Sequence, residues 1–214
     1  MRLFKPNIPK MVAKKDLRGL VEALGDEDPK IVWDAASALG DLKDPRAGDL
    51  LLEALGKPAS RLGAIRALGF TSNLRALEPL IAALQDNDAN VRRSAAFALP
   101  MLPDPRVVEP LAAALEDADH DVRWEAGSGL AMLKDPRGID YLIGLLHQHG
   151  MVGYEAAQAA KVLGKCGGAR AVEALLAAIH DKDTLVRTAA SEALGELKDP
   201  GSIEPLRAAI KDPR

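Results

Sequence analysis

Aromatic side chains make up only 3% of this 214-residue sequence, and cysteine occurs once, as Cys166. With so few rings, alanine and leucine must supply the core of a chain that is 48% apolar, and closely packed helices use those residues better than sheets do. A lone cysteine excludes both a disulfide framework and a thiolate metal cluster. No apolar run approaches the roughly 20 residues needed to span a bilayer. No apolar leader follows Arg2, so a cytoplasmic protein is expected. A dominant charge is missing as well. The 28 Lys and Arg residues nearly balance 31 Asp and Glu, and a net charge of −3 argues against a general nucleic-acid or membrane-surface binder. The local excess of Arg2, Lys5, Lys10, Lys14, Lys15 and Arg18 reads as a solvated face.

What the chain does have is repetition, the feature to test before any other. Residues 73–103 and 104–134 align without a gap at a period of 31 residues, and 13–43 and 168–198 fall on the same frame. The unit 44–72 is two residues short at Lys57-Pro58, and 135–167 is two long around HQHGMVG. Residues 199–214 form a half unit, and 1–12 precede the array as a capping segment. A single domain over 13–214 is expected.

Each unit encodes two helices. In the first, leucine or isoleucine recurs four residues apart, as in Leu20/Leu24, Leu51/Leu55, Leu80/Leu84, Leu111/Leu115, Leu142/Leu146, Leu175/Ile179 and Leu206/Ile210. Such pairs share one helical face. The second helix follows an aspartate-rich turn and is clearest in Val186–Gly195, VRTAASEALG. Asp44-Pro45, Asp104-Pro105, Asp135-Pro136 and Asp199-Pro200 place a capping carboxylate before a proline suited to a first helical position, and Asp28-Pro29 repeats the device. The D-x-D turns at Asp26/Asp28, Asp86/Asp88, Asp117/Asp119 and Asp181/Asp183 recur in unit after unit, which fits helix capping and not acid–base or metal chemistry. Pro79, Pro110 and Pro205 in the phrase EPL either kink the first helix or delay its start. A two-helix unit cannot cover its own apolar face, so its neighbours must stack on it.

The phrases DPRVVEPLAAAL (104–115), DNDANVRRSAAFAL (86–99) and DKDTLVRTAASEALGELKDP (181–200) closely resemble HEAT-like repeats of the short type named after phycobilisome bilin lyases. That resemblance covers about residues 13–212. It implies an all-α fold, a right-handed α-α superhelical solenoid of six helix pairs plus a terminal helix. It also implies a ladder between neighbouring units from the turn aspartate and the arginine opening the second helix, here Asp88/Arg92, Asp119/Arg123 and Asp183/Arg187, with Arg61 alone. Val32 and Ala156 lack the arginine, so breaks are expected in the first and fifth units, with a bend or loosened interface at the fifth. Deoxyhypusine hydroxylases resemble this architecture but bind iron through His-Glu dipeptides, and none of His120, His147, His149 or His180 precedes a glutamate. Bilin lyases share the repeat, yet no motif here marks chromophore chemistry. HEAT-like DNA glycosylases use a basic concave surface, which the overall charge does not favour.

In such a stack the second helices line the concave face, and the positions their core does not need point into the groove. Those columns hold Trp33, Leu62, Arg93 and Trp124; then Asp34, Gly63, Ser94 and Glu125; then Ser37, Arg66, Phe97 and Lys161; and near the helix end Asp41, Phe70, Met101 and Met132. Aromatics, methionine and arginine at otherwise free positions are the material of interface anchors. At roughly 8–10 Å per packed helix layer, Trp33 and Trp124 stand about 25–30 Å apart, a span for a protein segment. The expected function is therefore a non-enzymatic scaffold that binds a protein or peptide through Trp33, Arg66, Phe70, Arg93, Phe97, Met101, Trp124, Glu125, Met132 and Lys161. A cofactor-handling protein like the bilin lyases is the alternative. No cofactor, metal, nucleic acid or membrane partner is expected: His147 and His149 lack further ligands nearby, and Cys166 falls in a leucine column of the core.

Overall fold

The computed structural model describes residues 5–147, 153–197 and 203. Among these the secondary structure is entirely helical, and the chain divides into two compact units, Met1–Glu125 and Ala126–Arg214. The first unit holds α1 (Ile8–Ala13), α2 (Leu17–Ala23), α3 (Pro29–Asp41), α4 (Pro45–Ala54), α5 (Arg61–Thr71), α6 (Leu77–Ala83), α7 (Ala89–Ala98) and α8 (Val108–Ala113). The division falls within α9 (His120–Met132). The second unit holds α10 (Pro136–His147), α11 (Gly153–Cys166), α12 (Ala169–Ala178) and α13 (Thr184–Leu197). The six pairs are α2/α3, α4/α5, α6/α7, α8/α9, α10/α11 and α12/α13. The expected terminal helix, with Leu206, Ile210 and Pro205, lies outside the described residues, as do Asp199-Pro200 and His149.

The paired leucines of the first helices form the floor of the core. Leu20, Leu51, Leu80, Leu111, Leu142 and Leu175 are fully buried, each worth about 1.5–3 kcal/mol relative to exposure. Their i+4 partners are buried at Leu24, Leu84, Leu146 and Ile179 but only half-buried at Leu55 and Leu115. Second helices answer with small residues such as Ala35, Ala36 and Ala38 in α3 and Ala95, Ala96 and Ala98 in α7. At two of the repeats the glycine closing the A-L-G phrase permits a close approach of neighbouring second helices. A Cβ on Gly40 would sit 2.6 Å from the Phe70 Cβ, and one on Gly69 would sit 2.9 Å from the Ala98 carbonyl oxygen.

The EPL prolines delay the helix start. A 3-10 turn at Leu74–Ala76 precedes α6 and another at Pro105–Val107 precedes α8, so Pro79 and Pro110 stand in the first turn, where an amide proton has no helical partner. Pro100 acts at the other end, turning the last residues of the third second helix into the 3-10 segment Leu99–Met101.

The aspartate turns divide their work between two carboxylates. The second caps the helix: the amides of Lys30, Asn90, Asp121 and Leu185 donate to Asp28, Asp88, Asp119 and Asp183 at 2.8–3.0 Å. The first accepts the amide of the second, as Asp117 does from Asp119 at 2.8 Å. It also receives the ladder arginine of the preceding unit. Arg92 grips Asp117 with two bonds of 2.8 and 2.9 Å while donating to the Asp86 carbonyl at 2.9 Å, and Arg61 donates to Asp86 at 2.6 Å. This corrects the expected ladder, in which Asp88, Asp119 and Asp183 were the acidic rungs: capping already commits those carboxylates. Arg123 and Arg187 bond the carbonyls of their own turns, Asp117 and Asp181, at 2.7 and 2.9 Å.

The D-P-R turns form tighter local clamps. Asp44 accepts both the amide of Arg46 at 3.0 Å and its guanidinium at 2.7 Å, and the Arg46 side chain, then its amide, hold the Asp44 carboxyl at about 2. Within the second unit, a Cβ on Gly164 of α11 would lie 2.6 Å from the Ala193 Cβ of α13. The fifth repeat thus meets the sixth closely at this point. Gly127 leaves room for the Tyr141 ring, 2.2 Å from where its Cβ would be. Gly138 lies nearly as close to α9, its Cβ position 2.3 Å from the Ala131 amide nitrogen.

Candidate partner-binding site

In the first unit α3, α5 and α7 pack side by side, and three aromatic rings converge on their free face. Trp33 meets Phe70 edge-on with ring centroids 5.6 Å apart, and Phe97 lies 5.9 Å from Trp33 and 6.1 Å from Phe70. The bare backbone of Gly40 brings Phe70 this near to α3. Edge-on and tilted contacts of this kind are worth about 0.5–1.5 kcal/mol each beyond their area. Trp33 nonetheless remains 46% exposed, while Phe70 and Phe97 are half-buried. The rings form a surface cluster and leave the leucine and alanine core complete without them.

Arg66, one turn before Phe70 on α5, lays its guanidinium 5.6 Å from the centroid of Phe97. Its Nε is buried and no acceptor among the described residues meets it. Burial, and then the like charge of Arg93, push the Arg66 guanidinium below its usual value, with Glu125 pulling the other way. Arg93 is already engaged by Asp121 at 2.8 Å. Glu125 is half-buried, and desolvation raises its carboxyl more than Arg66 and Arg93 lower it.

Beside the rings, the end of α2 with α3 and α5 borders a half-open cavity of about 240 Å³. Leu24, Val32, Trp33, Leu62 and Arg66 line it, together with Asp26 and Glu27 from the α2–α3 turn. Leu62, 39% exposed, was not among the expected contact residues although it shares the column of Trp33. Asp26 and Glu27 were missed as lining residues because the recurrence of the D-x-D turns assigns them to capping and says nothing of the cavity beside this one.

The structure brings Trp33, Arg66, Phe70 and Phe97 together. Arg93 and Glu125 stand within electrostatic reach of Arg66. Met101 and Trp124 are half-buried, and Trp124 makes no ring contact among the described residues. The column of Glu125 does not point wholly outward, since Gly63, Ser94 and Ala189 in it are buried. In the second unit Met132 is 64% exposed and Lys161 is exposed, with Tyr154 and Leu185 adding exposed apolar surface there. Cys166 is buried, and burial raises its thiol. No helix among the described residues is long and apolar enough to cross a membrane.

Comparison with known proteins agrees with the helix-pair fold. The family pattern of HEAT repeats matches residues 13–69, 55–115, 77–159 and 152–214. No curated protein matches the chain. Among solved structures, the complex of CpcE and CpcF of phycocyanin lyase from Nostoc sp. PCC7120 is 22% identical with a TM-score of 0.50, over 91% of this chain and 93% of that one. An engineered protein is 21% identical with a TM-score of 0.51, over 94% of this chain and 63% of that one. Human deoxyhypusine hydroxylase is 22% identical with a TM-score of 0.42, over 97% and 83%. The likeness to the first two speaks for the fold alone: helix-pair repeats of the solenoid class.

Proposed function

The chain belongs to the HEAT-repeat family, and we propose that it is a non-enzymatic scaffold holding a segment of protein or peptide on the second-helix face of its first unit. One observation carries this reading: Trp33, Phe70 and Phe97, from three successive second helices, form a contiguous and partly exposed cluster that the repeat core does not use. Exposed apolar patches of this kind mark interaction sites, and tryptophan and arginine are the residues that most often anchor them. The adjoining cavity of about 240 Å³ is smaller than the roughly 300–1,000 Å³ of small-molecule pockets, so it suits one side chain of a longer ligand. Met101 and Trp124 extend the proposed contact set within the first unit. A cofactor-handling role, the alternative, draws on fold likeness alone.

Selection of displayed peptides on the purified full-length chain tests the reading. The wild type is expected to enrich a family of sequences, and the Trp33→Ala/Phe97→Ala variant is expected to bind them at least about 2 kcal/mol more weakly while melting as a folded protein. Equal binding by the folded variant would refute the docking face.

A further inference from the structure

The arginines of the first unit's second helices are satisfied with one exception. Arg61 and Arg92 hold Asp86 and Asp117, and Arg93 holds Asp121. Arg66 holds nothing: no salt bridge or hydrogen bond reaches it among the described residues, and its buried Nε points a donor at no acceptor. Glu125 lies near enough to be felt but makes no bond to it. A buried donor without an acceptor is costly, and it stands here at the wall of a cavity that Trp33 also lines.

We propose that the occupant of this face carries an internal aspartate or glutamate flanked by apolar side chains, and that this carboxylate seats on Arg66. The inference rests on the docking reading above and names the chemistry of its partner. A carboxylate matches the planar donors of a guanidinium better than other side chains do. The apolar neighbours follow from the surroundings: Leu24, Val32 and Leu62 line the cavity together with Arg66, while Phe97, its ring centroid 5.6 Å from the guanidinium, and the adjoining Phe70 lie outside that lining. An occupant that covers both the cavity and the rings continues past Arg66, which fits an internal acidic residue and not a terminal carboxylate. The acids of the cavity do not reverse this preference. Asp26 already accepts the amide of Asp28 at 3.0 Å, and Glu27 is exposed, so a basic group would gain only a solvated partner.

The test uses the full chain and a library of random dodecapeptides displayed with both ends fused. Wild type is expected to enrich Asp or Glu at one fixed position beside apolar residues, and Arg66→Glu is expected to lose that preference or turn it toward Lys or Arg. In solution, an acetylated and amidated peptide from the selection should bind about tenfold more weakly when its acid is changed to the amide, and Arg66→Met should weaken the original peptide equally. Arg66→Met combined with the amide peptide should show no further loss. The peptide arm leaves the protein unaltered, so it decides the matter even if an Arg66 variant fails to fold. Enrichment without an acid, enrichment of Lys or Arg, or stronger selection from a library ending in free carboxylates would overturn the inference while leaving the docking face intact. Self-association abolished by Trp33→Ala would assign the face to a second copy and also overturn it. No enrichment at all would instead sink the docking reading itself.

Discussion

The turns of the first unit and the middle of its second-helix face use the same residue types to opposite ends. In the turns, arginine and aspartate recur in register, and each finds a partner. Arg92 closes two bonds on Asp117 and two on carbonyls of its own turn, and both side chains are largely withdrawn from water at 17% and 12% exposure. On the helix face Arg66 breaks the repeat, since the same column holds Ser37 and Phe97, and it ends without an acceptor. Positions that obey the period hold the stack together, and positions that depart from it are free to serve a partner.

That contrast can be broken most forcefully at the arginines. Arg92→Ala is expected to lower stability by about 2–3 kcal/mol, because it strips charged hydrogen bonds from a withdrawn carboxylate. Arg66→Met should stay within about 1 kcal/mol of wild type, losing a cation–π contact but also an unmet donor. Urea unfolding of the two variants checks this, and equal losses would erase the distinction. Gly40→Ala comes next. Its Cβ would press on Phe70 at 2.6 Å and on the Phe70 carbonyl oxygen at 2.9 Å, so a cost of about 1–3 kcal/mol is expected, together with weaker peptide binding as Phe70 is displaced. A Gly40→Ala protein that lost stability but bound normally would detach the cluster from function.

Smaller effects probe the turns alone. Lys43 closes α3 in the left-handed region at φ 49°, so Lys43→Gly should raise stability by about 0.5–1 kcal/mol without touching binding. The smallest effect is on acid stability. Asp44, ordinarily 3.8, is held at about 2 by Arg46. A carboxyl whose folded value lies below its unfolded one stabilises the fold fully above the unfolded value, here from about pH 4 upward, and ceases to do so as the pH falls through 2. Asp44→Asn keeps the cap and should flatten the loss of stability between pH 4 and 2, as acid titrations followed by circular dichroism will show.

Much of this architecture was legible in the sequence because repetition turns single residues into columns. The i+4 leucines and the D-x-D turns each recur, and among the described residues the structure buries the first leucine of each pair and sets a capping carboxylate in each of these turns. The ladder was misread at one step. Sequence offers two aspartates per turn with equal standing, and only geometry shows that capping uses the second and leaves the first for Arg61 and Arg92. The aromatic cluster was legible as a set of departures from the columns, but its closeness was not, because it depends on how far Gly40 lets α5 slide against α3. Trp124 shares a column with Trp33 and yet ends half-buried, without a ring neighbour among the described residues. A shared column fixes a register, and local packing fixes exposure.

The most direct measurement is the fluorescence of Trp33 in a Trp124→Phe protein, in which it is the only tryptophan, titrated with a selected peptide. Trp33 starts 46% exposed, so docking on its face should shift its emission to shorter wavelength along the same saturation curve that an independent binding assay gives. A peptide that saturates the protein while the emission of Trp33 stays unchanged would contradict the account.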